Sequence, residues 1–165
     1  MLRFITLFAA YMIPFTVFFY AVLTKTDIFQ SYLNLNASAS AAILRVLGEE
    51  ASSEGPALRS PRSSLQIRHG CDAILPTALF MSAVLAFPIF LRLKWTALLL
   101  GSGALLLINL IRIITLYYAR IYKPDWFHAL HVDVWQPAFI FLALFFWIVW
   151  ALRATKPVAA PAPSA

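Results

Sequence analysis

The chain has 165 residues, 62% hydrophobic and 12% charged, with a formal net charge of +6 and a mean hydropathy of +0.80. Soluble domains are roughly 45 to 50% apolar, so this composition excludes an ordinary water-soluble fold and points to the bilayer. The basic residues sit at the ends of apolar runs or along one polar stretch, which fits membrane topology and argues against a nucleic-acid partner, and the lone Cys71 excludes an intramolecular disulfide, a CxxC redox pair and a multi-thiolate metal site.

The apolar runs are about 17 to 24 residues long and lack the two-residue alternation of barrel strands, so the predicted fold is all-α: one bundle of about four transmembrane helices. The expected domain covers residues 1–153, with spans over 4–23, 73–91, 95–119 and 135–152. The first run is long enough for about 30 Å of helix and lacks a small-x-small cleavage site at its end, so it reads as a retained helix rather than a cleaved signal. Residues 28–47 mix Ile28, Tyr32, Leu35, Ile43 and Leu44 with Gln30, Asn34, Asn36 and Arg45, an amphipathic pattern expected at the membrane surface without crossing it. Residues 48–70 turn polar and predict a small extracytoplasmic segment holding a short hairpin before Leu65-Gln66-Ile67.

Arg92-Leu93-Lys94 reads as a tight basic turn joining the second span to the third, and residues 120–134 as a second polar loop. Trp135 opens the fourth span and Trp147 and Trp150 close it, as in an aromatic belt. The Ala/Pro-rich residues 154–165 predict a disordered tail. The basic turn, Arg3, Arg153 and Lys156 place both termini in the cytoplasm, leaving His69 and Asp125 outside; Arg120 and Lys123 pull the other way.

Alternating spans bring three elements to one face of the membrane. Cys71 precedes the second span, where free backbone N–H groups and a nearby cation favour thiolate, while Asp72 either opposes this or caps the helix. Arg112 is a permanent cation in the run Leu105-Leu106-Leu107-Ile108-Asn109-Leu110-Ile111-Arg112-Ile113-Ile114, and Asn109, three residues earlier, shares its helix face. A functional Arg112 would face a partly wet interhelical site; a structural one would reach lipid phosphate. His128 and His131 are spaced i, i+3 beside Asp133, too loose a pattern to predict a metal site, and no phosphate loop or HExxH motif is present.

Three strings, Arg68-His69-Gly70-Cys71-Asp72-Ala73-Ile74, Asn109-Leu110-Ile111-Arg112-Ile113 and His131-Val132-Asp133-Val134-Trp135-Gln136, resemble the exosortase/archaeosortase family, most of all its short exosortase H type. The resemblance implies a membrane cysteine protease or transpeptidase in the bacterial cytoplasmic membrane, cutting C-terminal sorting signals of exported proteins at the outer face. Its implied catalytic residues are Cys71 as nucleophile, Arg112 as the essential arginine and His131 as the histidine; Asn109, His128 and His69 are supporting or substrate-binding candidates. The implied partners are exported substrates with a short motif, an apolar helix and a basic tail, within the lipid bilayer, with water or a lipid or glycan amine as acceptor and no cofactor. Two other readings fit the same residues: a non-catalytic membrane assembly or channel subunit, and a thiol acyltransferase.

Overall fold

The computed structural model describes residues 1–155. Helices dominate, with one small sheet. In chain order these are α1 (Leu2–Ala21), α2 (Asp27–Val46), β1 (Ser52–Glu54), β2 (Ala57–Arg59), β3 (Ser64–Gln66), α3 (Ile74–Ala86), α4 (Leu91–Tyr122), the short α5 (Phe127–Ala129) and α6 (Gln136–Ala154), with a 3-10 turn at Pro124–Trp126 and a π turn at Leu130–Trp135.

Three helical segments are long and apolar enough to cross a membrane: Leu2–Lys25, Leu91–Tyr122 and Pro124–Ala154. This is the architecture of an all-α membrane protein; of the four expected spans, over 4–23, 73–91, 95–119 and 135–152, three fall in these segments. The second expected span, placed over 73–91, is α3 with only 13 residues, about 20 Å of helix against a hydrocarbon core of about 30 Å. Its end is set by Phe87-Pro88. Pro88 disfavours helical backbone at the residue before it, and Phe87 is extended at φ −69°, ψ 132°.

The chain therefore turns at 87–90 and not at Arg92-Leu93-Lys94, which lies in the first turn of a 32-residue α4. Buried Lys94 donates from Nζ to the Leu85 carbonyl at 2.6 Å, satisfying an acceptor that the end of α3 leaves open. The polar loop expected over 120–134 is also corrected: helix runs to Tyr122 and resumes at Pro124. The chain leaves helical backbone there only at Lys123, at φ −145°, ψ 63°.

One core cluster lies where α3, α4 and α6 meet, around Phe80, Val84, Leu105 and Phe139. A second lies under the sheet, where Phe29, Leu33, Ala37 and Leu44 of α2 pack on Leu58, Leu65 and Ile67 and on Ile113 and Leu116 of α4. Thus α2 turns its apolar face into the protein, where the sequence pattern placed it against lipid. The hairpin expected before Leu65 is a three-stranded antiparallel meander ordered β1-β2-β3, with Leu58 opposite Leu65. Gly55, at φ +58°, makes the two-residue turn with Pro56 between β1 and β2. Tyr117 of α4 shares a 2.6 Å hydrogen bond with Ser60, and Arg62 donates to Glu49 at 3.0 Å and to Tyr122 at 2.9 Å, tying the sheet to the end of α4.

Both Arg3 and Lys94 line one cavity with Phe87 and Pro88, and Trp150 Nε1 donates to the Leu93 carbonyl at 3.2 Å. Arg3, Lys94 and the end of α6 bearing Arg153 therefore share one end of the bundle. Of the expected tail, Lys156 and all that follows lie outside the described residues.

Candidate active site

Cys71 sits in a tight turn between β3 and α3. Its N–H donates to the Arg68 carbonyl at 3.0 Å, and the turn is shaped by Gly70 at φ +91° and Ala73 at φ +58°. Left-handed backbone is natural for Gly70, but on alanine it costs on the order of 1 kcal/mol and persists only where surroundings enforce it. Here they do. Buried Asp72 accepts from Gly70 N–H at 2.9 Å and from Ile74 N–H at 2.8 Å, which closes the turn and satisfies the first N–H of α3.

Two helices hold the same turn from behind. Tyr32 of α2 donates its hydroxyl to the Asp72 carbonyl at 2.5 Å, and burial pushes the phenol pKa up to about 12, keeping it a donor. Asn109 of α4, wholly buried, donates from Nδ2 to the Cys71 carbonyl at 3.0 Å and to Asn36 Oδ1 at 3.2 Å. The thiol is therefore anchored through its own backbone.

The Cys71 Sγ lies 3.4 Å from His131 Nδ1 and 3.7 Å from Nε2. Both ring nitrogens are thus within reach of the sulfur, with Nδ1 the nearer. No carboxylate orients the ring among the described residues. Its plane is instead set by Phe127, stacked at 6.1 Å and 3°, and by the π turn that carries it. Trp135, at the end of that turn, donates from Nε1 to Thr115 Oγ1 at 3.1 Å, and Thr115 donates to the Arg112 carbonyl at 2.8 Å. A π turn inserts one residue into the helix register and re-aims the side chains within it, a device common at functional sites.

Arg112 is 2% exposed, and its Nε and Nη2 have no hydrogen-bond partner among the described residues. It lies 5.4 Å over the Phe139 ring and borders a cavity of about 280 Å³ together with Gly70, Asp72 and Gln136. A buried guanidinium without a counter-ion costs several kcal/mol unless an anion joins it. The cavity on the other side of the turn, about 500 Å³, is the one that Cys71 and His131 line, with β3, Arg120 and Phe127.

The expected low-pKa thiolate is corrected. Burial pushes the Cys71 thiol above its ordinary value; the Arg112 charge pulls it down, and the Asp72 carboxylate adds to the rise. Cys71 lies three residues before the first residue of α3, and the N–H of Ile74 is already taken by Asp72, so the helix end does not serve the sulfur. Asp72 itself is raised by burial, against the two N–H bonds that favour its charged form.

No family model, curated protein or solved structure matches this chain. The arrangement therefore stands on its geometry. Of the six residues singled out in the sequence, Cys71 and His131 meet, Asn109 holds the Cys71 backbone and Arg112 is close enough to act on the thiol electrostatically. His69 is exposed, edge-on to Tyr20 at 6.2 Å, and lines the larger cavity. His128 is exposed and lines neither cavity. Among the described residues no group of three or more His, Cys, Asp or Glu is placed to hold a metal. Tyr32 and Asn36 were missed as supports; their signal was a phenol and an amide on the face of α2 that also carries Phe29 and Leu33.

Proposed function

We propose that this chain is a membrane cysteine peptidase or transpeptidase that cleaves C-terminal sorting signals of exported proteins through a thioester, as the resemblance to the exosortase/archaeosortase family implies. The observation that carries the reading is the 3.4 Å approach of Cys71 Sγ to His131 Nδ1, between residues 60 positions apart, beside a buried arginine with free N–H donors. A nucleophile within reach of a base, on a rigid turn, is the signature of covalent catalysis.

A thiol held protonated by burial needs a base at the moment of attack. His131 takes the Cys71 proton as sulfur adds to the scissile carbonyl carbon, and the Arg112 charge, acting across the turn, stabilises the negative charge that develops on sulfur and on the carbonyl oxygen. Collapse of the adduct breaks the C–N bond, and His131 gives its proton to the departing amine, leaving an acyl group on Cys71. Water or a lipid- or glycan-linked amine then adds to the thioester while His131 takes its proton. Expulsion of sulfur, reprotonated by His131, restores the enzyme.

The Cys71 end of the bundle is assigned to the outer face of a bacterial cytoplasmic membrane, because Arg3, Arg92, Lys94 and Arg153 gather at the other end, as cytoplasmic flanks do. The test is co-expression with an exported protein ending in a short motif, an apolar helix and basic residues. A shortened product and a hydroxylamine-sensitive adduct on Cys71 are expected; processing that proceeds without an adduct overturns the thioester route.

A further inference from the structure

The ladder bonds of the sheet fix which way each residue of β3 presents its backbone. Ser63 accepts from Ser60 N–H at 2.9 Å and Ile67 donates to the Pro56 carbonyl at 2.9 Å, so the odd-numbered residues 63, 65 and 67 face β2. Ser64 and Gln66 then present N–H and C=O to the opposite edge, where no backbone or side-chain group meets them among the described residues. That edge borders the cavity of about 500 Å³. Past the end of β3 the chain runs through Ile67 to Arg68, whose carbonyl accepts from Cys71 N–H, so the free edge leads to the turn that carries the thiol.

The same cavity is positively charged. Arg68 and Arg120 line it with His69 and His131, and no acidic residue does. Neither arginine is in a salt bridge: the two found among the described residues are Arg59 with Glu54 and Arg62 with Glu49. Arg68 donates only to Gln66 Oε1, at 2.8 and 3.2 Å, and Arg120 lies 5.5 Å over the Phe127 ring.

We propose that the substrate's scissile segment binds as a fourth strand on the free edge of β3, and that a carboxylate side chain of this segment is recognised by Arg68 and Arg120. Strand addition supplies affinity through main-chain hydrogen bonds and leaves discrimination to the pockets beside them. It also fixes the peptide extended as it passes Arg68, the conformation in which a backbone carbonyl is open to attack by Cys71. This rests on the peptidase reading for its occupant, yet it is separable from it, because binding needs no chemistry.

The test uses the Cys71→Ala protein in lipid nanodiscs and the octapeptide amide Val-Thr-Val-Glu-Val-Thr-Val-Thr, N-methylated at one amide at a time, with a Gln-for-Glu peptide as control. Loss of an edge hydrogen bond plus the clash of the methyl predicts about tenfold weaker binding at two amides, two residues apart, that face the Ser64 and Gln66 carbonyls, and less than about twofold at the amide between them. The Glu peptide binds more tightly than the Gln peptide, and Arg68→Gln with Arg120→Gln erases that difference. A smooth profile without two-residue alternation, or no binding at millimolar peptide, overturns strand addition. Equal weakening of Glu and Gln peptides in the arginine variants overturns carboxylate recognition. Wild-type protein that forms the Cys71 adduct while the profile stays smooth sinks this proposal and leaves the peptidase standing; alternation with no adduct on any substrate does the reverse.

Discussion

Asn109, buried in the middle of α4, holds the carbonyl oxygen of Cys71 at 3.0 Å. Its amide reaches the Cys71 backbone and not the sulfur, so under the proposed mechanism it is a positioning residue. Asn109→Leu keeps the branched shape and removes the donor, stranding the Cys71 carbonyl and Asn36 Oδ1; an unmet buried acceptor costs about 1 to 3 kcal/mol. The expected result is a processing rate at least about tenfold lower, with Cys71 alkylated faster by a thiol reagent because its turn loosens. A merely structural asparagine would lower protein abundance and leave the labelling rate of the folded fraction unchanged.

Cys71→Ala should abolish processing at unchanged abundance, since the thiol is only partly buried and its turn is held by Asp72, Tyr32 and Asn109. Cys71→Ser should also fail or be very slow, because a hydroxyl is a far weaker acid than a thiol and His131 alone cannot activate it near neutral pH. Blots of substrate and enzyme from the same membranes decide this, and wild-type processing by the alanine variant would end the cysteine mechanism.

Arg112→Lys retains the charge and should still lose most activity. Arg112 is buried, its guanidinium lies over Phe139 and offers a planar fork; an ammonium is a compact, strongly hydrated point charge. Removal of a preorganised donor is worth up to roughly 10² to 10³ in rate. Matched-expression processing assays separate this from a membrane anchor, for which the lysine variant would be nearly silent.

The pH profile of Cys71 alkylation follows from its surroundings. Burial lifts the thiol, so the midpoint should lie above the ordinary thiol value of about 8.5. Arg112→Leu removes a charge that favours thiolate and moves the midpoint further up; Asp72→Asn removes one that opposes it and moves the midpoint down. A curve unmoved by either substitution would mean that neither charge reaches the sulfur.

Because Cys71 is the only cysteine, wild-type cells carry a single topology label. A membrane-impermeant maleimide added to intact cells should modify Cys71. In a Cys71→Ala background, Arg92→Cys should react only after the membrane is opened. The opposite pattern would invert the orientation while leaving Cys71 and His131 together.

The sequence carried the membrane class, because hydropathy is a sum over residues that needs no partners, and it carried the convergence of Cys71, Asn109, Arg112 and His131, because alternating helices fix which positions share an end. It misjudged local boundaries. The run over 73–91 is largely apolar, so hydropathy could not see that Phe87-Pro88 stops α3 at Ala86; residues 120–134 are polar, yet apart from Lys123 they form helical turns, which polar side chains on a helix surface permit.

What the sequence determined by itself is therefore the membrane class and which ionisable side chains gather at one end of the bundle. Tertiary structure alone decided the pKa direction of Cys71, which depends on how much of the thiol is buried and on the distances to Arg112 and Asp72. It alone also decided the aim of His131, set by a π turn pinned through Trp135 to Thr115, and the support from Tyr32 and Asn36 on α2. The physical reason is common to these: desolvation, charge–charge energy and hydrogen bonding depend on separations of a few ångströms between residues tens of positions apart, which side-chain periodicity does not encode.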